Sequence, residues 1–99
     1  MGEILTTEEV RKALYLDYDY DGTELARLSK TASSFIKRKT GYDFGSDAEI
    51  EPLATEAAIM YVRQSFFGAD GYNKEHDYSL GLNGLLVELQ VIAGEKSSV

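Results

Sequence analysis

The sequence predicts an all-α fold, a small bundle of about four helices with a long loop before the last one. Three observations carry this expectation. Two segments near the N-terminus open with helix-capping signatures and continue with apolar residues at helical spacing. A run from Pro52 to Phe67 is apolar on nearly every side and too long for a strand. The only alternating patch, YLDYDY, is too acidic and too close to a helix start to pair as a strand.

In the first helix, Thr6 and Glu9 have the S/T-x-x-E spacing of a capping box, and Leu5 and Val10 occupy the two staple positions. Val10, Ala13 and Leu14 then recur on one face, and the helix is expected to end near Leu16. The second helix starts inside DYDYDG. Asp21 and Glu24 repeat the cap-and-N3 arrangement, and Leu25, Leu28, Ala32, Phe35 and Ile36 form a stripe. Arg27, Lys30, Lys37 and Arg38 lie on the opposite side, and Gly41 suits the position just past the C-terminus. The helix should therefore cover about residues 22 to 40.

Residues 42–51, YDFGSDAEIE, read as a turn-rich connection, and Pro52 is well placed as the first residue of a third helix. Leu53, Ala57, Met60 and Phe67 share one face of that helix, while Ile59, Val62 and Phe66 fall on another. A helix apolar nearly all round is either central in the core or covered by another subunit. Residues 68–82 are rich in Gly and Asp and long for a connection in a compact domain. A last helix is expected from Asn83 or Gly84, with Leu85, Leu86, Leu89 and Ile92 as its stripe and Gly94 as its stop. Residues 1–94 thus form one domain, and 95–99, EKSSV, a flexible tail.

Composition narrows the chemistry. The chain has 99 residues and no Cys, which excludes disulfides, zinc–thiolate sites and a Cys nucleophile. No apolar run approaches the ~20 residues of a membrane-spanning helix. The net charge of −7 is unevenly placed. Residues 1–26 carry seven acids and two bases, residues 27–41 five bases and no acid, and residues 42–57 five acids and no base. An acidic whole disfavours general phosphate binding, and the basic band can pair with acidic surfaces in the same chain or in another copy.

DYDYDG resembles the start of an EF-hand calcium loop, with Asp17, Asp19, Asp21 and Gly22 at positions 1, 3, 5 and 6. Position 12, which requires a bidentate Glu, is Leu28, and position 8 is Glu24. The acidic run therefore reads as a solvated turn and helix cap. His76 is the only histidine, and a lone His between Glu75 and Asp77 is more often solvated than ligating. No GxSxG elbow and no glycine-rich phosphate loop is present. Lys37, Arg38 and Lys39 can read as a nucleic-acid patch, but bases in a last helical turn are commonly explained by the helix dipole. No catalytic residue, cofactor or metal site is expected. Of the seven tyrosines, Tyr15, Tyr18 and Tyr20 crowd the acidic turn, and Tyr72 and Tyr78 lie on the long loop, where Tyr often serves interfaces.

The stretch LTTEEVRKALYLDYDYDGTELARLSKTASSFIKRKTGYDF has a short capped helix and an acidic turn opened by Leu16-Asp17. A helix closing on Thr40-Gly41 follows. Followed by LATEAAIMYVRQSFF and LNGLLVELQ, this order resembles the tailed-phage head–tail connector proteins, also called adaptor or head-completion proteins and sometimes grouped with DNA-packaging proteins. The likeness spans about Leu5 to Leu89 and rests on order and spacing. The chain departs from many relatives in ending on Gln90, Val91 and Ile92 rather than a basic or Pro-containing finish, and the loop at 68–82 has no evident counterpart.

The resemblance implies a structural role rather than an enzymatic one. Such a protein is made in the bacterial host cytoplasm and joins the neck of the virion as a homo-oligomeric ring. The ring sits on the phage portal protein, contacts a downstream neck or tail protein, and lets DNA pass through its channel without specific binding. Candidate contacts are Arg27, Lys30, Lys37 and Arg38 on the second helix, Ile59 and Phe66 on the third, and Tyr72 and Tyr78 on the loop. Two alternatives remain open, a DNA-binding packaging factor of the small-terminase kind served by residues 27–39, and a calcium-binding helical module.

Overall fold

The computed structural model describes residues 2–67 and 79–97, which form four α-helices and one 3-10 turn, with no strand among them. The helices are α1 (Thr7–Ala13), α2 (Gly22–Thr40), α3 (Pro52–Phe67) and α4 (Ser79–Ser97), and the 3-10 turn spans Phe44–Ser46. The all-α bundle is as the sequence predicts. The expected loop at 68–82 falls mostly outside the described residues.

The start of α1 carries the full capping box. Thr6 Oγ1 accepts from the Glu9 amide at 3.1 Å, and Glu9 Oε1 accepts from the Thr6 amide at 2.9 Å. Its two staple residues, Leu5 and Val10, are both buried. The helix ends earlier than expected, because Tyr15 turns left-handed with φ 59°. The Tyr15 amide then donates to Lys12 O at 3.2 Å and the Leu16 amide to Arg11 O at 3.0 Å, the paired bonds of a Schellman stop. No glycine marks this end, so the sequence extends the helix too far.

The bounds of α2 match expectation at both ends, since both are chemically marked. Asp21 accepts from the Thr23 amide at 2.9 Å, and Gly41 closes the helix at φ 80° with its amide on Lys37 O. The second half of the expected box is absent. Glu24 turns away from the cap to Arg27, whose charged donors outcompete a backbone amide for a carboxylate.

α3 packs against α1, α2 and α4. Its innermost residues, Ala54, Ala57, Ala58 and Val62, are fully buried, and three of these four are alanines, which lets neighbouring backbones approach closely. Its larger apolar residues, Leu53, Ile59, Met60, Tyr61 and Phe66, are half-buried against the core. The position of α3 against three other helices accounts for its buried alanines and Val62, while these larger residues stay partly accessible. Helix α4 runs longer than predicted at both ends. It begins at Ser79 because Leu82, one turn before Leu86, belongs to the buried stripe that continues through Leu89 and Ala93. Asn83 and Gly84 therefore lie inside the helix rather than at its start, and Gly81, in its first turn, lies where a Cβ would come within 3.3 Å of the Met60 methyl. Gly94 does not stop it either, and residues 95–97 are helical rather than tail, with Lys96 reaching Asp47.

The segment before α1 is part of the core. Ile4 and Leu5 are buried, and two serines inside the apolar face of α2 hold them. Ser33 Oγ accepts from the Ile4 amide at 2.8 Å, and Ser29 donates its hydroxyl to the Leu5 carbonyl. Gly2 and Gly45 meet backbone to backbone, so closely that a Cβ on either would overlap the other's carbonyl.

Candidate functional site

Two surfaces of unlike chemistry lie at opposite ends of α2. The first is the turn that leads into it. Asp17, Asp19 and Asp21 are exposed there, and so are Tyr15 and Tyr18, each 78 % accessible. The tyrosines are nevertheless held in place. The guanidinium of Arg63 sits 5.5 Å from the Tyr15 ring centre, while its Nε donates to Ala13 O at 2.9 Å and its terminal nitrogen reaches the Tyr15 hydroxyl at 3.3 Å. Arg63, one of only two charges on α3, thus also satisfies the last turn of α1. Arg11 lies 4.9 Å over Tyr18 and pairs with Glu8. Tyr20 packs edge-on against Phe66, with ring centres 6.0 Å apart.

This turn does not have the form of a calcium loop. Asp21 is spent on the α2 cap, and Leu28, where the twelfth ligand would stand, is a core residue 5 % exposed. Among the described residues, no three His, Cys, Asp or Glu side chains are grouped to hold a metal. His76 lies outside them.

The second surface is an open groove of about 450 Å³ between α2 and α3, lined by Thr31, Ser34, Phe35, Arg38, Lys39 and Tyr61. Its aromatic floor is a stacked pair, Phe35 and Tyr61, with ring centres 4.5 Å apart and planes at 27°. Lys39 Nζ stands 5.7 Å above the Phe35 ring. Arg38 is exposed and has no acidic partner among the described residues. Phe35, expected in the core stripe, sits at the stripe's edge, only half-buried, and its ring lines the groove.

The predicted contact residues do not form one site. Arg38 alone lines the groove. Arg27 is bound to Glu24, Nε to Oε2 at 3.0 Å, and this pair lowers the Glu24 carboxyl and raises the Arg27 guanidinium from their ordinary values. Lys30 and Lys37 are exposed farther round α2, and Ile59 and Phe66 are half-buried against the core. Tyr72 and Tyr78 lie outside the described residues. Tyr61 and Phe35 went unrecognised as groove residues because each occupies an ordinary apolar helix position.

A third cluster joins the connection after α2 to α4. The Tyr42 hydroxyl donates to Asp47 Oδ1 at 2.6 Å, and Lys96 Nζ lies 3.2 Å from Oδ2 and 5.5 Å from the Tyr42 ring centre. The Tyr42 hydrogen bond, and after it Lys96, hold the Asp47 carboxyl below its usual range, and the carboxylate in turn raises Tyr42 and Lys96. This cluster fastens the last turn of α4 and explains why the helix continues past Gly94.

No helix among the described residues is long and apolar enough to cross a membrane. No protein-family model matches the chain, and no curated protein or solved structure matches it either.

Proposed function

We propose that this chain is a structural connector of the tailed-phage neck, assembling as a ring between the portal and the tail. There it would extend the DNA channel and complete the head. The observation that carries the reading is the placement of charge along α2. The acidic turn of Asp17, Asp19 and Asp21 stands at the N-terminal end, and Arg38 and Lys39 stand about 25 Å away at 1.5 Å per residue. One molecule therefore presents two unlike surfaces of opposite sign. Contacts between unlike surfaces repeat head to tail and close into rings when the rotation allows, and complementary charge sets their register. The order and spacing of the capped helix, acidic turn and Thr-Gly-terminated helix supply the biological setting. A net charge of −7 suits a channel wall along which DNA slides without specific binding.

Light scattering and electron microscopy of the purified chain, alone and with portal-bearing heads, test the reading. A closed ring in solution or on the portal is expected, and failure to bind cognate portal-bearing heads would refute it. A DNA-packaging factor is the second reading, favoured by the juxtaposition of Arg38 and Lys39 with a stacked aromatic pair. It requires duplex or single-stranded DNA binding that weakens steeply with salt, measured by fluorescence anisotropy.

A further inference from the structure

The acidic turn and the basic groove have matching chemistry, yet α2 holds them apart within one molecule. The groove offers an aromatic floor, with Lys39 over Phe35 and the exposed guanidinium of Arg38 at its rim. The turn offers two exposed aromatic rings, Tyr15 and Tyr18, between and beside the exposed carboxylates of Asp17 and Asp19. We propose that residues 15–21 of one copy dock in the α2–α3 groove of a second copy. Tyr15 and Tyr18 stack on the Phe35–Tyr61 pair, and Asp17 and Asp19 face Arg38 and Lys39. The inference rests on the oligomeric reading above and names the contact that would build the ring.

Three features of the turn fit a docking element. Among the described side chains it carries the two most exposed large hydrophobic ones, whereas Tyr20 in the same turn is folded onto Phe66. Arg63 and Arg11 hold the two rings against one face each, so little side-chain freedom is lost on docking. Tyr15 also occupies the left-handed position that ends α1, where fold stability alone favours glycine. A tyrosine there keeps its ring 78 % exposed even with Arg63 against it, leaving most of that ring for a partner. A second copy is the occupant because each copy carries both halves with opposite charge. The chain's net charge of −7 opposes a nucleic acid in the same groove.

Two full-length variants test the contact. The groove-blocked variant is Arg38→Glu with Lys39→Glu, and the turn-blocked variant is Tyr15→Gly with Tyr18→Ser. Glycine suits the left-handed backbone, so the second variant keeps its fold, and circular dichroism melting verifies both. Each variant alone should self-associate at least about tenfold more weakly than the unmodified chain, since like charges or lost rings meet at the contact. Mixed together they should form a 1:1 pair, the intact groove of one taking the intact turn of the other. With the turn-blocked chain isotope-labelled, NMR shifts should gather at residues 31–39 and Tyr61. The inference is overturned if either variant alone assembles like the unmodified chain, if the mixture gives no such shifts, or if duplex DNA alone perturbs the groove. A ring that persists in both variants would remove this contact and leave the connector reading standing. A 1:1 pair from variants of a chain that never forms a ring, alone or on portal-bearing heads, would support the contact and remove the connector reading.

Discussion

Replacing Ser33 by alanine should loosen the N-terminal segment and lower the stability of the whole domain. Ser33 is 6 % exposed and its hydroxyl is the acceptor for the Ile4 amide at 2.8 Å, in a region where Ile4 itself is 4 % exposed. Removing the acceptor leaves a buried N–H unpaired, at about 1–3 kcal/mol. Alanine's better helix propensity returns about 0.5 kcal/mol, so the net loss is about 1.5 kcal/mol. For a domain of this size that corresponds to a fall in Tm of about 6–12 °C. Thermal melting by circular dichroism measures it, and hydrogen exchange at the Ile4 amide localises it. Ser34→Ala, one residue on and facing the groove, is the control and should stay within about 0.5 kcal/mol of the unmodified chain. Ser29→Ala should act on the same segment through the Leu5 carbonyl, so the double variant should lose less than the two singles combined. An unchanged Tm together with unchanged protection at Ile4 in Ser33→Ala would refute the claim that these serines hold the segment.

Further substitutions probe the other structural claims. Gly45→Ala would set a Cβ 2.2 Å from the Gly2 carbonyl oxygen, so the two backbones must separate; urea unfolding should register a loss of about 2 kcal/mol or more. Asp21→Ala removes the cap of α2 and should cost about 1 kcal/mol in the same assay, whereas Asp19→Ala, at an exposed position outside the cap, should be near neutral. The Asp47 carboxyl is depressed by Tyr42 and Lys96, so its contribution is present above the ordinary carboxylate range and is lost as pH falls through the lowered value. In Asp47→Asn the Tm deficit against the unmodified chain should therefore be largest near neutral pH and shrink in acid; a deficit independent of pH would assign the residue a purely packing role.

The parts of the fold that could be read from the sequence are those whose ends carry their own chemistry. Asp21 and Gly41 bound α2, and Thr6 with Glu9 opens α1, because capping is local and each signal lies within a few residues of the backbone it satisfies. The ends of α4 were misplaced for the opposite reason. Gly81, Gly84 and Gly94 look like punctuation, but each costs only about 1 kcal/mol in a helix, and burial of Leu82 and Ala93 outweighs that. Such burial depends on α3 and the rest of the core, which no local window contains. Ser29 and Ser33 were missed likewise, since their partners lie 24 and 29 residues earlier in the chain.

The candidate site was legible as charge but not as place. Residues 27–41 carry five bases and no acid, yet the structure does not offer that band as a uniform surface. Arg27 is paired with Glu24 one turn before it, the last carboxylate of the acidic band. Lys39 lies over Phe35, and beside it Arg38 is left without an acidic partner among the described residues. What a block of like charges presents to a partner is set by which members its own helix has already paired. Lys30 and Lys37 stay exposed farther round the helix, and only Arg38 and Lys39 stand beside the aromatic pair; that coincidence, rather than the count of bases, marks the groove as the contact proposed for an acidic, tyrosine-bearing turn.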